Sequence, residues 1–111
     1  MDITEERHGA VVVVRPNGAL VQDGAWAFRQ RVAQVLDRSL GRLVVGLSSV
    51  PYADSGGLEA LVELSDQLGQ TGRALKLCSA NETLREVFHL TDIAMLFEQY
   101  DDATSAVRSF L

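Results

Sequence analysis

Apolar and polar positions along this chain change period several times, and each change marks an element. Ile3 to Arg7 reads as a short extended piece, closed by a turn at His8-Gly9. Ala10-Val11-Val12-Val13-Val14-Arg15 follows, a β-branched run of strand length. Pro16-Asn17-Gly18 breaks it. From Gly24 to Ser39 the period switches: Phe28, Val32, Val35, Leu36 and Leu40 recur at the spacing of one helix face. Asp23 stands where a helix N-cap belongs, and Gly41 stops the helix. Leu43 to Leu47 is apolar on both faces, the pattern of a central strand.

A loop from Ser48 to Ala53 leads into a second helix over Ser55 to Leu68. Leu58, Leu61, Val62, Ser65 and Leu68 form its expected buried face, and Gly69-Gln70-Thr71-Gly72 ends it. Arg73 to Cys78 reads as a strand. Asn81 caps a short helix through Phe88, with Leu84, Val87 and Phe88 turned inward. Leu96 to Tyr100 is a weak last strand, and Asp101-Asp102 opens a terminal helix whose stripe is Ala103, Ala106, Val107 and Phe110.

The order is therefore ββαβαβαβα, an α/β fold in one domain over residues 1–111. Strands that alternate with helices need right-handed crossovers, which predicts a mixed β-sheet with a parallel centre and helices packed against it. In such sheets the functional crevice is expected at the carboxyl ends of the strands. The loops Pro16 to Asp23 and Ser48 to Gly57 both fall there.

Composition narrows the functions open to such a fold. A net charge of −5, with the ten Lys and Arg scattered, speaks against direct contact with nucleic acid. The single cysteine, Cys78, excludes an internal disulfide framework and fits a reducing compartment. Its alternating apolar surroundings predict a buried structural thiol. Met1 to Glu6 has neither the basic nor the apolar region of a signal peptide. The longest apolar stretch, Ala10 to Val14, is too short for membrane insertion. A cytoplasmic location is the expectation.

The chemistry-bearing segment is Asp54-Ser55-Gly56-Gly57, at the turn into the second helix. Asp and Ser are preferred caps because their oxygens accept first-turn N–H groups, and glycines let the chain turn sharply. The same groups expose a serine hydroxyl where a phosphate meets the helix dipole and unpaired N–H donors. Both readings rest on the same atoms. Elsewhere the chain offers little. His8 and His89 lack a second ligand type at metal spacing, so neither a metal nor another cofactor is expected. Ser55 has no nucleophile elbow and no identifiable general base, so the chain is not read as an enzyme. Trp26, two positions from Phe28, either faces solvent or a partner, where it could serve as a contact residue, or is half-buried in the core.

Three segments carry a family resemblance. Tyr52-Ala53-Asp54-Ser55-Gly56-Gly57-Leu58 resembles the (F/Y)-x-D-S-(S/T/G)-G-L segment of STAS domains of the anti-sigma factor antagonist type. Arg15-Pro16-Asn17-Gly18-Ala19-Leu20 is similar to their R-L-x-G-x-L turn, and Val87 to Ile93 to their (V/L)-F-x-(L/M)-(S/T)-G-L segment. The resemblance spans essentially the whole chain. It implies docking on an anti-sigma factor that is also a serine kinase, release on phosphorylation of Ser55, and resetting by a phosphatase. The docking surface it implies comprises Asp54, Ser55, Gly56 and Gly57 with Asn17, Val21, Gln22 and Asp23. ATP and Mg²⁺ then belong to the kinase. Two positions depart from the pattern: Val21 stands where the family usually has aspartate, and Asp92 where it usually has glycine. The alternative compatible with Val21 is a phosphorylation-independent STAS subunit of a larger assembly, such as a lipid-transport ABC system or a stress-signalling scaffold.

Overall fold

The computed structural model describes all residues from Met1 to Leu111. Five strands form one sheet in sequence order: β1 (Asp2–His8), β2 (Val11–Asn17), β3 (Leu43–Gly46), β4 (Leu75–Cys78) and β5 (Phe97–Tyr100). β1 and β2 form an antiparallel hairpin in register from Asp2 opposite Asn17 to His8 opposite Val11. All later pairings are parallel. Helices α1 (Gln22–Ser39), α2 (Ser55–Gly69) and α3 (Glu82–Leu90) connect the strands, a single 3₁₀ turn (Ala94–Leu96) precedes β5, and α4 (Ala103–Arg108) ends the order. The mixed sheet with a parallel centre is as the patterning predicts. No helix is long and apolar enough to cross a membrane.

Alternation along the strands explains the layers. Val12, Val14, Leu43, Val45, Leu75 and Leu77 face one way, against Phe28 and Val32 of α1, Leu61 and Leu64 of α2, and Leu84 and Phe88 of α3. Val11, Val13, Val44 and Cys78 face the other way, against Ala106 of α4. Fully burying one such Val, Leu or Phe side chain contributes about 1.5–3 kcal/mol, so the three-helix layer dominates stability. Burial pushes the Cys78 thiol up from its ordinary pKa, which suits its structural place. Glu5 fastens β1 to α1, accepting from Arg31 Nη1 at 3.0 Å and Arg38 Nη2 at 2.8 Å. The Arg38 hydrogen bond leads in holding its carboxyl below the usual range.

Several boundaries differ from the patterning, each for a physical reason. α1 begins at Gln22, its N-cap is Val21, and no side chain caps it; Asp23 lies in the first turn, where its charge complements the dipole. Leu40 is not on the buried face: it is the C-cap, left-handed at φ 55°, and 70% exposed. Pro16 does not end β2, because β3 pairs only as far as Val14 and asks no donor of the proline. Leu64 is buried on α2, whereas Leu58, Val62 and Ser65, like Val87 of α3, are half-buried at the margin. β4 starts at Leu75 rather than Arg73, and β5 at Phe97, with Leu96 ending the 3₁₀ turn. His8 is the last residue of β1, not a turn residue, and its ring pairs with Glu6.

Candidate functional site

The two loops singled out by sequence do meet, and backbone joins them. Gly18 N–H donates to Ser49 O at 2.9 Å, Leu20 N–H to Tyr52 O at 3.1 Å, and Asp54 N–H to Leu20 O at 3.1 Å. Leu20 and Ala53 form an isolated parallel bridge, continuing the β2–β3 pairing past the end of the sheet. Leu20 is fully buried, so this zipper is anchored in the main core.

α2 starts directly beneath it. Asp54 is extended (φ −91°, ψ −174°), and its Oδ1 accepts from Gly57 N–H at 2.9 Å. Gly57 admits no side chain: a Cβ there would lie 2.1 Å from Leu20 O. At Gly56 a Cβ would stand 3.3 Å from Asp54 Oδ1 and 3.9 Å from the backbone nitrogen of Gln22. Gly57 therefore permits the close approach of the α2 start to the Leu20 segment, while Gly56 leaves room beside Asp54 and Gln22.

Ser55 is the first helical residue and exposed, and its hydroxyl has no partner within the protein. The backbone N–H groups of Ser55 and Gly56 are also unpaired, as first-turn donors are. Asp54 does not hold the serine hydroxyl; its carboxylate serves the cap. The site thus offers an accessible hydroxyl beside two free N–H donors at the positive end of a helix dipole.

Gln22 faces this point from α1, with a left-handed φ of 48° that costs a non-glycine residue about 1–2 kcal/mol. Between α1 and α2 runs a groove of about 210 Å³, lined in part by Gln22, Trp26, Arg29, Gly56, Glu59 and Glu63. Arg29 and Glu63 pair across it. Trp26 is 66% exposed, which resolves its alternatives in favour of solvent.

Of the expected docking residues, Asp54, Ser55, Gly56, Gly57 and Gln22 come together around the α2 start, with Val21 as the α1 cap and Asp23 exposed as the second residue of α1. Asn17 ends β2, one residue before the Gly18–Ser49 contact, and its side-chain amide donates to Asp2 Oδ2 of β1 at 3.4 Å. Sequence reasoning missed Leu20, whose carbonyl dictates Gly57, and the exposed Tyr52. The Gly-x-Leu of the facing loop was the available signal for Leu20. The expected crevice takes a different form here. Strand order never reverses, and α1, α2 and α3 all cover one face, so no topological switch point opens a cleft beside Ser55. The Ser55 region is an outward-facing surface. No group of three or more His, Cys, Asp or Glu is placed to hold a metal ion. Asp92 adopts φ 58°, which shows why glycine suits that position and why aspartate, tolerant of the left-handed region, can replace it.

The STAS domain family model matches residues 2–106. The chain resembles the crystal structure of the Thermotoga maritima protein TM1081 with a TM-score of 0.87 and 25% identity, covering 96% of this chain and 92% of that one. An anti-sigma factor antagonist from Mycobacterium paratuberculosis superposes with a TM-score of 0.83 at 26% identity, over 97% and 92% of the two chains. The BtrV protein of Bordetella bronchiseptica is 24% identical over 110 residues, 99% of this chain and 95% of its own.

Proposed function

The chain belongs to the STAS domain family, and on that premise we propose that it is an anti-sigma factor antagonist gated at Ser55. In its unmodified form it docks on an anti-sigma factor through the zipped loops and the start of α2, and so frees a sigma factor. The anti-sigma factor is a serine kinase, Ser55 is its phosphoacceptor, and a phosphatase restores the docking form. The protein acts by binding, within the cytoplasm, and needs no cofactor of its own.

One observation carries this reading: the Ser55 hydroxyl is exposed, unpartnered, and fixed at the first position of a capped helix. A kinase can reach it without unfolding anything. The added phosphate brings about −1.5 to −2 charges to a surface already bearing Asp54 and Glu59. Ser55 and Gly56 N–H groups stabilise that phosphate locally, so the modification spares the fold and alters only the docking face. Incubation with the cognate anti-sigma factor and ATP, followed by intact mass and site mapping, tests it. One added phosphate, absent from Ser55→Ala, is the expected result; unchanged mass, or phosphate at another residue, removes the gating step.

Val21 favours a second reading. An aspartate there would cap α1 and add a carboxylate beside the docking face, whereas valine makes no cap bond. In that reading the same surface serves a phosphorylation-independent subunit of a larger assembly. Pull-down separates the two: recovery of a transporter ATPase without any serine kinase, and unchanged binding by Ser55→Glu, selects the second.

A further inference from the structure

The largest cavity described in the molecule lies at the opposite end of the sheet from Ser55. It measures about 480 Å³ and opens where β2 and β3 begin and α1 ends. Its walls include Arg7, Arg38 and Arg42, with Glu5 as the one acidic residue. A local excess of two positive charges (three guanidiniums, one carboxylate) therefore sits in a chain whose net charge is −5.

These cations are not used up within the protein. Glu5 is taken by Arg38 and Arg31. Arg7 and Arg42 enter no ion pair. The C-terminal dipole of α1 accounts for Arg38 in the last turn, but not for Arg7, which arrives from a different element, the edge strand β1. The wall holds a second anomaly. Ser39 is only 7% exposed, and its Oγ is buried without any hydrogen-bond partner. A helical serine can point its hydroxyl to solvent or return it to the carbonyl four residues back, and this one does neither. The spare guanidiniums are donors to oxygen, while the Ser39 hydroxyl lies behind the wall with no accessible surface. The remaining walls, Ala10, Val12 and Leu40, are apolar.

We propose that this cleft binds a small phosphate monoester. Its dianion is held by Arg7 and Arg42, and its organic part lies against Ala10, Val12 and Leu40. Two unpaired guanidiniums balance the two charges of a phosphate dianion, and their planar forks match tetrahedral oxygens. The volume falls in the ordinary range of small-ligand sites, which begins at about 300 Å³. Apolar walls favour an ester over inorganic phosphate.

The test is a titration of the full chain followed by amide chemical shifts, with phenyl phosphate, inorganic phosphate and benzoate as probes. Saturable shifts are expected at Ala10, Ser39, Leu40 and Arg42, with the amides of Ser55 and Gly56 unmoved. Phenyl phosphate binds tightest, inorganic phosphate more weakly, and the monoanion benzoate weakest. Arg7→Gln and Arg42→Gln each weaken phenyl phosphate about tenfold, the value of one charge-assisted contact. Arg7 is exposed and Arg42 half-buried, and neither takes part in the Glu5 ion pairs, so an unchanged melting temperature certifies the fold in each variant. Absence of saturation overturns the proposal. So does affinity retained in the Arg7→Gln, Arg42→Gln double variant, or equal affinity for benzoate and phenyl phosphate, which marks a merely cationic surface.

Discussion

Two helix starts meet at the Ser55 surface, and they are built differently. α2 begins with an aspartate cap bonded to Gly57 N–H, and with Gly57 pressed against the Leu20 carbonyl. α1 begins a few ångströms away with Val21, no side-chain cap, and a left-handed Gln22. One start is fixed by a charged hydrogen bond and a backbone contact that excludes any side chain. The other stores strain, and its Gly24 N–H donates to a backbone oxygen, Val21 O at 3.0 Å, in place of a side-chain cap. The contrast is one of constraint: α2 holds Ser55, the proposed phosphoacceptor, in one place, while the α1 start is the less firmly tied side of the same surface. α3 and α4 resemble α2, since Asn81 accepts from Leu84 N–H and Asp102 from Ser105 N–H. Only α1, among the four α-helices, lacks a side-chain cap.

Substitutions can break this contrast or sharpen it. Gly57→Ala forces the Leu20 carbonyl aside and disrupts the zipper, at a cost of about 3 kcal/mol or more in urea unfolding. A loss below about 1 kcal/mol would mean that the close approach is not a constraint. Asp54→Ala removes the α2 cap and costs about 1 kcal/mol, read as a lower melting temperature. Val21→Asp supplies α1 with the cap that it lacks and stabilises by roughly 0.5–1 kcal/mol, which erases the difference between the two starts. Gln22→Gly relieves the left-handed penalty but adds chain entropy to the unfolded state, leaving a gain of about 0.5 kcal/mol.

The smallest effect concerns pH. The Ser105 N–H hydrogen bond lowers the Asp102 carboxyl below its ordinary value. A lowered folded-state pKa gives stability that is complete above the ordinary carboxylate range and lost as pH falls through the lowered value. Asp102→Asn therefore flattens the acid limb of the stability curve slightly, measured as melting temperature against pH.

The capped starts were legible in sequence and the uncapped one was not. Asp54 and Asn81 stand where a cap rule places them, immediately before an apolar stripe. The same rule selected Asp23, because nothing local reveals that a left-handed Gln22 lets α1 begin sooner. The element order was legible because β-branched runs and helical stripes alternate without ambiguity. Leu40 misled by sitting at helical spacing; only the backbone shows that it turns left-handed and leaves the core. Ser55 was readable from its neighbours in the chain. The Leu20 contact that makes Gly57 obligatory joins positions far apart in sequence, so it emerges only in three dimensions.

The central claim is that Ser55 gates docking, and one titration tests it directly. The cognate anti-sigma factor is titrated by calorimetry with the unmodified chain and with the chain phosphorylated at Ser55. The account predicts that phosphorylation weakens binding about a hundredfold or more, the scale of desolvated charge set against an interface, with an unchanged melting temperature for the free protein. Equal affinity of the two forms would contradict it.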